Sequence, residues 1–302
     1  MSDILVIGSL NADLVVRVPR FPMPGETISG GDLVTIPGGK GANQAVAAAK
    51  LGASVSMLGR VGNDQLGQML IDNLTRHGVD ASRVQKSDSA TGTAIIQVDE
   101  SGQNSIVLSP GANGQVSPAD LEPAINAKIL LLQLEIPVET VLYAAEWGKS
   151  RGMTVILNPA PARELPDQIF EYIDLIVPNE SELSLLTDMN VSDYASAQAA
   201  IARLMERGAN QVLLTMGARG ALLQFDSDSG CFVSSHKVKV VDTTAAGDAF
   251  IGGLAAALAR ELTLPDALEY ANACGALAVT KFGAQPSLPT AQEVENFIHP
   301  TE

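Results

Sequence analysis

From about residue 126 onward, short apolar runs alternate with helical patterns, and few folds accept that rhythm. Strands are expected at KILLLQL (128–134), MTVILN (153–158), DLIVPN (174–179), QVLLTMG (211–217) and ALLQF (221–225). Helices are expected at ETVLYAAEWGK, ESELSLLTD, SAQAAIARLMERG and PDALEYANACGALAVTKF. Strands that are apolar at nearly every position must be covered on both faces. The expected fold class is therefore α/β, with a central, mostly parallel sheet flanked by helices on both faces. In such sheets ligands bind beyond the carboxyl ends of the strands, so polar residues at strand ends are the first candidates for a site.

Two stretches break the rhythm. Residues 12–36 alternate apolar and polar residues around several prolines, and residues 92–108 form a hairpin pattern turning near Glu100–Gly102. Neither contains a crossover helix. They are expected to make a small antiparallel sheet apart from the main one, which either closes over a site or pairs with a second subunit. The division expected is a core of 1–10, 37–91 and 109–302, with 11–36 and 92–108 as the separate β piece.

Charge narrows the partners. The chain has 19 basic and 34 acidic residues, a net charge of −15. Such a charge disfavours nucleic acid and anionic membrane surfaces. The N-terminal MSDILVIGSL has no basic region and reads as a first strand, not a signal peptide. The most apolar later stretch is interrupted by Glu135, Pro137 and Glu139, short of the roughly 20 apolar residues needed to span a bilayer. Cys231 and Cys274 make no metal-spaced motif. The expectation is a cytoplasmic protein without membrane or nucleic-acid partners.

The stretch DTTAAGDAF (242–250) follows a β-like run, HKVKVV (236–241), and opens a long apolar helix. The first N–H groups of a helix lack intrahelical partners, and its dipole favours negative charge. Small residues such as Ala245, Ala246 and Gly247 let a phosphate approach those groups, while Asp248 in the first turn offers a proton acceptor. A backbone anion hole beside a carboxylate is what phosphoryl transfer to an alcohol requires. Asp248 alone would also suit an ordinary helix start. A second glycine-rich turn, PGGKGAN (37–43), opens an Ala-rich helix and brings Asn43 to its first turn. It has neither the Walker A spacing nor G-x-G-x-x-G. A third stretch, GSLNADLVV (8–16), puts Asn11 and Asp13 on one face of an extended segment, where they could hold adjacent hydroxyls or merely form an Asx turn. Glu135, Asn179 and Glu182 are further polar residues at strand ends. His77, His236 and His299 are scattered and suggest no site.

These motifs, with GRVGND, LNPAPARELPD, PNESE, TMGARG and FGAQPSLP, resemble those of the ribokinase-like (PfkB) family of carbohydrate kinases, over essentially the whole chain. The resemblance implies a lid formed by the separate β piece, commonly paired between subunits in a homodimer. It implies ATP as co-substrate, with Mg²⁺ and K⁺, and transfer of the γ-phosphoryl group to the primary 5-hydroxyl of D-ribose. Asp248 would be the general base, and Ala245, Ala246 and Gly247 the anion hole. Asn11, Asp13, Gly39, Lys40, Asn43 and Glu135, with Asp248, would hold the sugar. Asn179, Thr215, Gly217, Gly220 and Asn272 would face the nucleotide. Asp242, Thr244, Ala278, Lys281, Gly283 and Ser287 would line the monovalent-cation loop, several through carbonyls only, and Glu182 would meet Mg²⁺ through water. Other substrates within the family (2-deoxyribose, another pentose, a ketohexose or a nucleoside) and a non-catalytic sugar-binding role remain open.

Overall fold

The computed structural model describes residues 2–226 and 229–299. In chain order its strands are β1 (Ile4–Ile7), β2 (Asn11–Arg17), β3 (Val34–Gly38), β4 (Val55–Gly62), β5 (Asp80–Ser87), β6 (Gly92–Val98) and β7 (Asn104–Ser109). They continue as β8 (Ile129–Leu132), β9 (Thr154–Leu157), β10 (Leu175–Ile176), β11 (Gln211–Thr215), β12 (Ala221–Gln224) and β13 (Gly230–Val233). The helices are α1 (Lys40–Lys50), α2 (Gln65–Arg76), α3 (Val138–Ser150), α4 (Glu180–Thr187), α5 (Tyr194–Glu206), α6 (Ala246–Ala259), α7 (Leu264–Ala278) and α8 (Ala291–Ile298).

Nine strands form the main sheet in the order β13-β12-β11-β10-β9-β8-β1-β4-β5. All its neighbours run parallel except β11/β12 and β12/β13 at one edge. Both faces are covered, and the two-residue period of the strands sorts side chains between them. Ile4 and Val6 of β1 pack with Ala45 of α1, Ala255 of α6 and Ala271 of α7. Leu5 and Ile7 pack on the other side with Val141 of α3 and Ile201 of α5. Near-continuous apolar strands are the direct consequence.

The second sheet has the order β3-β2-β6-β7. Each hairpin-like pair, β2/β3 and β6/β7, is antiparallel, but the central pair β2/β6 is parallel. Asn11 and Gly92 lie side by side where both strands leave the core, so both run outward in the same direction. The small antiparallel sheet expected is thus present, with one parallel seam between its two antiparallel pairs. The turn near Glu100–Gly102 is fixed by Asp99, whose Oδ1 accepts from the Ser101 and Gln103 amides at 2.9 and 3.0 Å.

HKVKVV forms no strand. The sheet ends at β13, and Val240 and Val241 are more than half exposed. Its alternation describes a chain running along a cleft wall, with the Val241 amide donating to the Val279 carbonyl at 2.8 Å. DLIVPN keeps only Leu175–Ile176 as a strand, because Pro178 has no N–H to donate. Among the described residues no helix is long and apolar enough to cross a membrane.

Candidate active site

A cleft of about 770 Å³ opens at the carboxyl ends of β9, β10 and β11 and ends at the N-terminus of α6. Asn179, Thr215, Gly217, Gly220 and Asn272 line it, and so do Lys40, Glu182, Ala245, Ala246, Gly247 and Asp248. Thr215 and Asn179 are brought together by a parallel bridge that extends β11 beyond the strand break at Pro178. Asn179 caps α4, and its side chain and amide both meet the Glu182 carboxylate, at 2.9 and 2.8 Å. Burial pushes the Glu182 carboxyl up, against the opposing effect of the Asn179 amide and Lys40. Asn272, which lines the cleft, donates its amide to the Ser234 carbonyl at 2.8 Å.

No side chain caps α6. Ala245, its N-cap, sits in the left-handed region at φ 59°, an uncommon conformation for a residue with a Cβ. This turn points the Ala246 amide back to the Thr243 carbonyl at 3.3 Å. The amides of Gly247 and Asp248, too near the helix start for an intrahelical partner, carry the open donor capacity. A Cβ at Gly247 would meet no atom within 4 Å, so its small size leaves room for a ligand rather than for protein packing.

The Asp248 carboxylate is buried and held on both oxygens. Asn43 Nδ2 donates to Oδ2 at 2.9 Å, and Gln44 Nε2 donates to Oδ1 at 3.1 Å. Asn43 is fixed in turn by Gln285, whose Nε2 donates to its Oδ1 at 3.1 Å. Beyond Asp248 lie the remaining sugar-side candidates. Glu135 accepts from Ser9 Oγ, from the Lys40 amide at 3.0 Å and from Asn11 Nδ2 at 3.4 Å. Asn11 is oriented by buried Asn113, which donates to its Oδ1 at 2.7 Å. Gly39 makes this junction possible: at φ 90°, any Cβ there would lie 2.7 Å from the Asn11 amide nitrogen.

Electrostatics set this pocket apart. Asp13 is pushed up to about 7 by burial, then by the charges of Glu135 and Asp248. Burial works against the Lys40 ammonium, yet Asp248, Glu135 and Glu182 outweigh it and raise its pKa. A cation is therefore retained where three carboxylates converge.

The cation-loop candidates also converge. Asp242 accepts from the Thr244 amide and hydroxyl at 2.9 and 2.6 Å and from the Gly283 amide at 2.9 Å, tying two loops together. Ser287 Oγ donates to the Ala284 carbonyl in the same turn, while the end of α7 brings Ala278 alongside. The Lys281 ammonium is drawn away to Glu293, leaving its carbonyl as the group it can offer.

Gln44, Asn158 and Gln133 were missed as site residues in the sequence. Their signal was visible: Gln133 interrupts the apolar run LLLQL, and Gln44 sits in the Ala-rich helix QAVAAA. Buried amides at such positions need partners, and here the chain of partners ends on Asp248.

A doubly covered parallel sheet, a second small sheet whose central strands leave the core at Asn11 and Gly92, and a carboxylate at an uncapped helix N-terminus fit a small-molecule phosphotransferase. The chain belongs to the pfkB family of carbohydrate kinases, whose profile, described as "pfkB family carbohydrate kinase", matches residues 1–291. It is 41% identical over 298 residues to a ribokinase of Haemophilus influenzae, covering 97% of each chain. It is 40% identical over 302 residues to a deoxyribokinase of Salmonella typhi, covering 98% of each. Among solved structures, a ribokinase of Arabidopsis thaliana, in complex with ribose and ATP, superimposes with a TM-score of 0.93 at 35% identity, covering 99% of each chain.

Proposed function

We propose that the protein transfers the γ-phosphoryl group of ATP to the primary 5-hydroxyl of D-ribose, giving D-ribose 5-phosphate and ADP. The observation that carries this reading is the place of Asp248, held by Asn43 toward the sugar-side residues and seated in the first turn of α6 at the end of the cleft. Asn11, Asp13, Gly39, Lys40, Asn43 and Glu135 hold sugar hydroxyls. Asn179, Thr215, Gly217, Gly220 and Asn272 face the nucleotide. Asp248 takes the hydroxyl proton as the sugar oxygen forms its bond to the γ-phosphorus, and the bond from phosphorus to the β–γ bridging oxygen breaks to release ADP. The open amides at the α6 N-terminus, with Ala245 and Ala246 shaping the turn, stabilise the charge that develops on the transferred group.

The donor sets fit the two cations the family implies. Carbonyl and hydroxyl oxygens around Asp242, Thr244, Ala278, Lys281, Gly283 and Ser287 suit K⁺, which would stiffen the loop leading into α6. Glu182, its carboxylate already engaged with Asn179, suits Mg²⁺ through water, and the ion would neutralise phosphate charge. The four-stranded sheet acts as the lid, and we place the enzyme in the cytoplasm as a homodimer joined through it.

A second reading, 2-deoxy-D-ribose as the preferred substrate, is favoured by the deoxyribokinase relative, as similar to this chain as the ribokinases are. The test is ATP-dependent phosphorylation across a sugar and nucleoside panel, including both pentoses, in K⁺ with Mg²⁺. Preference for D-ribose is expected; preference for the deoxy sugar moves the substrate and keeps the mechanism. Asp248→Asn should lower kcat by about 10²- to 10⁴-fold while sugar binding by calorimetry changes little. Full turnover in that variant removes Asp248 as the base.

A further inference from the structure

We propose that Gln44 is a positioning residue, whose side-chain amide, clamped by Gln133 and Asn158, holds the Asp248 carboxylate in the orientation from which it takes the hydroxyl proton. The inference rests on the reading of Asp248 as the base.

Gln44 and Gln133 are fully buried, and Gln44 does not line the cleft, so it acts through Asp248 and not on a ligand. The two hydrogens of Gln44 Nε2 are directed to Asp248 Oδ1 and Asn158 Oδ1, each at 3.1 Å. Its Oε1 accepts from Gln133 Nε2 at 2.7 Å. Asn158 is fixed by its own donation to the Val177 carbonyl at 3.1 Å, which turns its oxygen toward Gln44. Reversing the Gln44 amide would set oxygen against a carboxylate and nitrogen against a donor. From Gln133 through Gln44 to Asp248 each link therefore points an N–H toward the carboxylate, while Asn158 takes the second hydrogen of Gln44 Nε2.

The far end of the chain shows what this arrangement costs. Gln133 Oε1 is buried with no hydrogen-bond partner among the described residues. A buried polar atom left unpaired opposes folding, and three apolar side chains in these places would avoid it. The trio is explained by the donor it presents to Asp248. Gln44 anchors one carboxylate oxygen while Asn43, a sugar-side candidate, anchors the other, so the carboxylate plane is set before substrate arrives.

The experiment is a double-mutant cycle on the full chain. Gln44→Met keeps side-chain volume and removes the amide. It is expected to lower kcat about 10- to 100-fold, as a misplaced reacting group does, with KM for sugar and ATP within about threefold. Placed on Asp248→Asn, the same change should lower the residual turnover no further, since the group it positions is gone. Gln133→Met serves as a second variant: it exchanges one unpaired buried oxygen for another, leaves the Asp248 contact in place, and should lower kcat several-fold with Tm nearly unchanged. Equal losses in both backgrounds, or an unchanged kcat in both single variants, overturn the proposal. Full activity in Asp248→Asn alone would instead overturn the assignment of the base.

Discussion

Asp13 is placed where a carboxylate is expensive. It is enclosed at the start of the four-stranded sheet, faces Glu135 and Asp248, and titrates near 7 instead of near 4. Its folded-state pKa lies above its unfolded value, so the folded protein holds this proton more tightly than the unfolded chain. The associated stability is fully present below about pH 4 and is lost as the pH rises through about 7. Asp13→Asn, which cannot ionise, should therefore raise Tm at pH 8 by at least about 2 °C and give no comparable gain at pH 4. The same variant should lose sugar affinity, because a carboxylate presents two acceptor oxygens to hydroxyl donors and the amide replaces one of them with a donor. Thermal scans at the two pH values check the first expectation and calorimetric titration with the sugar the second; a Tm gain equal at both pH values would sink the account. Stability given up at a residue proposed to bind is the ordinary balance between a site and its scaffold.

At the scale of elements, the crossing of α1 and α6 determines whether Asp248 and its amide partners meet. Gly252 lies on α6 where a Cβ would sit 2.4 Å from the Ala47 Cβ and 3.0 Å from the Gln44 carbonyl oxygen, so the helices touch backbone to backbone. Gly252→Ala must push them apart. We expect a loss of about 1–3 kcal/mol in unfolding free energy, typical of overpacking. We also expect a drop in kcat, because Asn43 and Gln44 ride on α1 and Asp248 on α6. Gly253→Ala is the control: its Cβ would strike Cys274 on α7, 2.7 Å away at Sγ, and disturb the other side of α6. A kcat loss no larger in Gly252→Ala than in this control, at equal stability cost, would separate the crossing from the chemistry. This contact also shows what the sequence could and could not convey. The apolar strands, the helices between them and the polar residues at strand ends were legible, because burial on two faces leaves a continuous hydrophobic record. DTTAAGDAF and GGKGAN were legible as glycine- and alanine-rich helix starts. The alternation in HKVKVV misled, because period two reports an extended chain but not whether a partner strand exists. The amides behind Asp248 went unread because a single Gln in an apolar run names no partner; only the folded α1/α6 contact supplies one.

For the whole molecule, the four-stranded sheet raises the question of what covers it. Apolar side chains are exposed on both of its faces: Ile95 and Val107 are paired across β6 and β7 on one, and Val34, Ile106 and Leu108 lie on the other. Strand alternation puts the second group on the side of Asp13, the side that would close over a sugar. The first group then faces away from the site, and a second copy of the chain is the partner we propose for it. Each copy carries a net charge of −15, so long-range electrostatics oppose the pairing while apolar contact favours it. Salt screens the repulsion over a Debye length of about 8–10 Å and leaves the apolar term in place. Raising NaCl from 20 to 300 mM, about a fourfold shortening of the Debye length, should therefore tighten the dimer, whereas a pairing held by ion pairs would loosen. Val107→Glu sets a charge against its symmetry mate or against apolar surface, and should yield monomers of unchanged secondary structure. Sedimentation equilibrium at the two salt concentrations, with and without Val107→Glu, reads both expectations. If the lid needs its partner to stay ordered over the sugar, the monomeric variant should also show a higher KM for the sugar than for ATP relative to the parent. A monomeric parent with an ordinary KM would instead mean that each lid closes alone.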